Sequence, residues 1–176
     1  RNSFLNFCEK KGLEKNKNQI DIINLLTKFF ESKKKIINFF SKSNNKLCFY
    51  LFGGVGVGKT MILNFFYNFV DLPKKRAHFN EFMIEFHENR FKNNKDPILS
   101  FVKKIKKYDL LYLDEFQVTN IVDAMILGKL FETIFKENIK VIITSNIKLE
   151  NLYKDGLQRE QFLPFISIIK KNSIQK

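Results

Sequence analysis

The stretch LCFYLFGGVGVGKTMILNFFYNFV, residues 47–70, decides the fold. It opens on a nearly continuous apolar run, 47–52, of the kind that suits a strand buried on both faces of a parallel sheet. It closes on residues 59–70, whose pattern predicts a helix. Between them Gly53, Gly54, Val55, Gly56, Val57, Gly58, Lys59 and Thr60 fit the pattern G-x-x-x-x-G-K-[ST]. Glycines let the backbone curl so that its N–H groups converge on phosphate oxygens, and the following helix presents its positive end to the same anion. Lys59 is expected to reach the β- and γ-phosphates of ATP, and the Thr60 hydroxyl to ligate Mg²⁺. A glycine-rich turn can match by chance. The strand before it and the helix after it are the context that marks a nucleotide site.

Working outward, two further runs share the buried-strand character. Residues 110–113 end in Asp114-Glu115, and residues 141–143 end in Thr144-Ser145-Asn146. A weaker strand candidate covers 76–79, and helical spacing covers about 20–42, 81–92, 97–107, 122–137 and 159–171. This alternation predicts an α/β fold, a P-loop three-layer sandwich around a parallel sheet. Residues 1–46 read as an N-terminal helical segment and 47–176 as the core. No fifth strand and no C-terminal lid are visible in the apolar pattern, so both are expected to be absent from this chain.

Ligands of such sheets bind beyond the carboxyl ends of the strands, where the polar residues just named fall. A buried strand ending in a carboxylate brings Asp114 to the magnesium, which it would hold through a water. Glu115 is then the candidate general base that polarises the attacking water. Asn146 ends the next strand, where a polar tip can orient that water, although a strand-end Asn is commonly a turn former. Two other P-loop classes fit poorly. No N/T-K-x-D tetrapeptide reads a guanine base, and four arginines in the whole chain are too few for the arginine-rich lid of a small nucleotide kinase.

The chain of 176 residues carries 31 basic and 18 acidic residues, a net charge of +13. That balance would suit a nucleic-acid or anionic-membrane partner. The lysines are scattered, however, and Lys103, Lys104, Lys106 and Lys107 alternate with Ile98, Phe101, Val102 and Ile105 as the wet side of an amphipathic helix does. Abundant Lys and Asn with 21 Phe also look like the mark of an AT-rich coding sequence, so charge alone decides nothing. Cys8 and Cys48 form no C-x-x-C pair, which fits reduced thiols in a cytosol-like compartment. No apolar run approaches the ~18–20 residues of a spanning helix. The chain opens on Arg1 rather than Met, so a natural N-terminus and any targeting segment are expected to precede it. His78 and His87, on different predicted elements, make a poor ligand pair and read as structural.

The string LYLDEFQVTNIVDAMILGKLFETIF, then TSN, then NLYKDGLQREQFLPFI, resembles the ZapE-type cell-division ATPases, whose mitochondrial relatives are the lactation elevated proteins. The segment RAHFNEFM, residues 76–83, is similar to that family's R-x-H-F-x-x-F-M. The resemblance runs from about 47 to 165. It implies an AAA+-like core with Gly53–Thr60 as Walker A loop, Asp114 and Glu115 as Walker B pair, and Asn146 as sensor. It also implies Mg-dependent ATP hydrolysis in a homo-oligomer, with Arg159 acting as an arginine finger on a neighbour's ATP. A division-ring or inner-membrane protein partner, and a cytoplasmic, membrane-peripheral or mitochondrial setting, come with the likeness. Asn80 stands where relatives often have a second histidine, and Asn120 where Asp is common; neither belongs to the nucleotide chemistry. Two rival readings keep the same loop: a nucleic-acid-binding module of helicase-loader type, and a nucleotide-dependent scaffold without turnover.

Overall fold

A computed structural model describes residues 2–10, 16–31, 46–54, 56–92 and 95–176. The elements run α1 (Asn2–Lys10), α2 (Lys17–Glu31), β1 (Cys48–Phe52), α3 (Lys59–Phe69), β2 (Lys74–His78), α4 (Phe79–Lys92) and α5 (Pro97–Ile105). They continue with β3 (Leu110–Asp114), α6 (Ile121–Lys136), β4 (Lys140–Ser145), α7 (Leu163–Asn172) and β5 (Ser173–Gln175). Two compact units result, one holding α1, α2 and α3, the other the five strands with α4 to α7.

In the larger unit the strands form one parallel sheet in the order β2-β3-β4-β1-β5. The central strands are buried on both faces, as parallel sheets require, and their middles are apolar while polar residues sit at the ends of β3 and β4. Cys48, Tyr50, Leu111, Leu113, Val141 and Ile143 enter a core built with Phe101, Phe131, Phe162 and Phe165. β2 is an edge strand of sequence KKRAH, and its charges suit an edge that must not recruit a further strand.

The fifth strand is a correction to the expected absence of one. Ser173–Gln175 pairs in parallel with Cys48–Tyr50 of β1. It holds three residues, one of them apolar, and follows α7 without a turn, so neither run length nor punctuation announces it. The segment expected to be helical from 159 begins instead with a 3₁₀ turn, Arg159–Gln161, entered through Gln158 at φ 51, and only then passes into α7. The helix expected over 20–42 is α2 as far as Glu31; residues 32–42 lie outside the described residues.

Helix ends follow from sequence. Asp96 caps α5 by accepting the Leu99 amide at 2.9 Å, with Pro97 as the first helical residue. Asn120 caps α6 by accepting the Val122 amide at 2.8 Å, a task an Asp would perform as well. In α5, Phe101, Val102 and Ile105 are buried while Lys103 and Lys104 are exposed, as are Lys106 and Lys107 just past its end. Lys104 pairs with Glu85 and Lys106 with Glu137.

The smaller unit is held by aromatic contacts. Phe4 meets Phe65 edge-on at 5.1 Å between centroids, and Phe30 lies 5.0 Å from Phe66. Among the described residues no helix is long and apolar enough to cross a membrane.

Candidate active site

The phosphate loop leaves β1 with the Gly53 amide donating to the Ser145 carbonyl of β4 at 3.2 Å. Gly56 and Gly58 then take φ of 81 and 84, left-handed values that residues with a Cβ adopt only under strain. At Gly58 a Cβ would also lie 2.8 Å from the Gln19 side-chain nitrogen, a flexible group that would have to move aside. Gly58 caps α3 without any side-chain acceptor, and no acidic residue stands in the first turn. The first amides of the helix therefore keep no local carboxylate, which is the chemistry of an anion site. Lys59 is half-buried and Thr60 exposed; Val55 lies outside the described residues.

At the tip of β3 the two expected carboxylates meet opposite surroundings. The Asp114 side chain is 7% exposed and both its oxygens are engaged. Oδ1 accepts the Thr144 hydroxyl, and Oδ2 accepts Arg76 Nη2 at 2.7 Å. Arg76 reaches across from β2, with its guanidinium 4.7 Å from the centre of the Tyr112 ring. Burial pushes the Asp114 carboxyl up, but the Thr144 hydrogen bond and the Arg76 charge outweigh it, leaving the group below the ordinary aspartate value. An ionised carboxylate and a threonine hydroxyl are hard oxygen donors, the set that Mg²⁺ takes, so Asp114 and Thr60 fit the expected ion in kind.

Glu115 turns the other way. Its backbone is left-handed at φ 54, and its side chain is 77% exposed. The turn is clamped by β4: the Thr144 hydroxyl accepts the Glu115 amide at 3.1 Å, and the Thr144 carbonyl accepts the Phe116 amide at 2.7 Å. Ser145 Oγ donates to the Phe116 carbonyl at 2.8 Å. Past this turn lies a cavity of about 170 Å³ lined by Glu115, Asn146 and Asn80, with Phe116, Gln117, Thr119, Ser145 and Ile147. Glu115 and Asn146, read separately from two strand ends, thus share one cavity.

The sequence of residues 12–174 matches the profile described as AFG1-like ATPase. The chain belongs to the AFG1-like ATPase family. It is 42% identical over 146 residues to lactation elevated protein 1 homolog B of Danio rerio, covering 74% of this chain and 29% of that protein. It is 42% identical over 129 residues to cell division protein ZapE of Escherichia coli K12, covering 70% of this chain and 34% of that protein. The chain thus spans about a third of the length of the curated relatives it matches. In fold it is similar to domain III of the Thermotoga maritima replication initiation protein DnaA, with a TM-score of 0.64 at 18% identity over 92% of this chain and 63% of that one.

Within this AFG1-like chain, several residues depart from their expected surroundings. His78 is not a core histidine: its side chain is 54% exposed, with Nδ1 3.7 Å from Glu115 Oε2. His87 is the structural one, joining α4 to α6 through Asp123 at 2.7 Å. Asn80, expected to stand apart from the chemistry, lines the cavity with Glu115 and Asn146. Arg159 does not line that cavity. Its Nη2 donates to the Glu150 carbonyl at 2.7 Å, and its Nε is buried without a partner. Among the described residues it pairs with neither Asp155 nor Glu160. Thr144, Ser145 and Arg76 were legible only as strand-end or motif residues, because their partners lie on neighbouring strands.

Proposed function

We propose that this chain is the nucleotide-handling part of a magnesium-dependent ATPase that hydrolyses the β–γ phosphoanhydride of ATP with water. The observation that carries this reading is the convergence of Glu115 and Asn146 on one cavity beyond the ends of β3 and β4. Glu115 is exposed enough to take a water proton, and Asn146 offers an amide to orient that water. Lys59 binds the β- and γ-phosphates, and the backbone amides of Gly53–Thr60 cradle them. Thr60 and Asp114 would hold the magnesium, which would supply charge neutralisation to the phosphates. The clamp from Thr144 and Ser145 fixes the turn that separates the two carboxylates, so that one faces the ion while the other stays free for water.

Arg159 completes the reading as a finger acting on a second copy. A planar guanidinium matches the equatorial oxygens of a transferring phosphoryl group, where an ammonium acts as a point charge. The name of the Escherichia coli relative is the ground for a setting in cell division. The nucleic-acid reading rests on net charge alone, and the basic residues are spread along the chain rather than gathered in one run.

A phosphate-release assay tests the core of the proposal. Glu115→Gln is expected to bind ATP as the unaltered chain does and to release no phosphate at a comparable rate. Turnover at the unaltered rate would remove Glu115 from its role.

A further inference from the structure

The arginine of the motif R-x-H-F, residues 76–79, stands on the carboxylate assigned to magnesium. Resting on the ATPase reading, we infer that Arg76 competes with the nucleotide's magnesium for Asp114, and so limits how much the ion adds to nucleotide binding.

Three features of the contact lead there. Of the groups around Asp114, the Thr144 hydroxyl is the fixed one. Thr144 is buried, and the same hydroxyl also accepts the Glu115 amide, so it cannot swing away without undoing the turn. Arg76 is the removable one. Its side chain is 34% exposed and stands on the edge strand β2, and its long, flexible stem can carry the guanidinium off the carboxylate toward solvent. Finally, a guanidinium keeps its charge at every pH that proteins tolerate, so only displacement can take it off the carboxylate.

Electrostatics gives the sign. A monovalent cation 2.7 Å from Oδ2 already neutralises the carboxylate, and it repels a dication approaching the same group. Removing it leaves a nearly buried carboxylate in need of a cation, which is a stronger magnesium partner. The choice of arginine fits this task. With only four arginines among 31 basic residues, the chain uses one where the group must stack on an aromatic ring and bond to a carboxylate in the same pose.

The test is a binding measurement and does not depend on turnover. The dissociation constant of a fluorescent ATP analogue is measured in EDTA and in saturating magnesium, and the ratio of the two is compared between variants. Arg76→Gln is expected to raise that ratio roughly tenfold, within the range of ordinary coupling between two ligands. Arg76→Lys, which keeps a cation and loses the planar stack, is expected to raise it by less, and it carries the test if Arg76→Gln melts at a much lower temperature. A ratio unchanged or lowered in a folded variant overturns the competition and leaves the ATPase reading standing. Failure of the unaltered chain to bind the analogue in either buffer overturns the ATPase reading, and the inference falls with it.

Discussion

Asp114 and Glu115 are neighbours in the chain, yet the halves of the site around them are built on opposite terms. The Asp114 half is nearly buried and fully bonded, with Thr144 on one oxygen and Arg76 on the other. The Glu115 half is open, with a left-handed backbone, a loose contact to His78 and a cavity shared with Asn146 and Asn80. The difference separates two chemical needs. A metal-holding carboxylate must be kept ionised and aimed, whereas a group that accepts a proton from water must reach water. One peptide bond and a reversal of φ are enough to divide them.

Mutations at the two positions should therefore fail in different ways, and the largest effect belongs to the open half. Glu115→Gln is expected to lower phosphate release by about 10²–10⁴-fold, the usual contribution of a general base, with no change in melting temperature. A marked drop in melting temperature would show that Glu115 is structural and erase the contrast. Asn146→Ala should lower turnover by a smaller factor, about tenfold for a single orienting contact, again with the melt unmoved.

Asp114→Asn should fail as a fold as well as a site. Losing a charged acceptor that is hydrogen-bonded on both oxygens is expected to destabilise the chain by about 2 kcal/mol, discounted because Arg76 is a third exposed. The acid limb carries a second signature. The native Asp114 pKa lies below the unfolded one, so its contribution is complete above the ordinary aspartate value of about 4 and is lost as pH falls through the native value. Thermal melts from pH 7 to pH 3 should show the gap between the unaltered chain and Asp114→Asn closing at the acid end. A gap that widens as pH falls would mean that the native carboxyl titrates above the unfolded one and that the ion pair does not hold it down.

The open and buried halves were not equally legible. Strands β1, β3 and β4 announce themselves because strands buried on both faces must be apolar throughout. Their polar ends, Asp114, Glu115 and Asn146, stand out against those runs. What surrounds Asp114 did not stand out, because Arg76 and Thr144 reach it from β2 and β4, and cross-strand register is not written in linear order. His78 read as structural for the same reason: only the pairing of β2 with β3 brings it to Glu115. β5 escaped because an edge strand of three residues carries too little apolar signal.

The left-handed backbone at Glu115 carries a cost. A side chain in that conformation is disfavoured by roughly 1–2 kcal/mol per residue, and glycine would sit there without penalty. Glu115→Gly should consequently melt no lower than Glu115→Gln while hydrolysing no ATP. The strain at position 115 is thus tolerated for a side chain whose demand is chemical, since the Glu115 carboxylate is exposed and folding leans little on it.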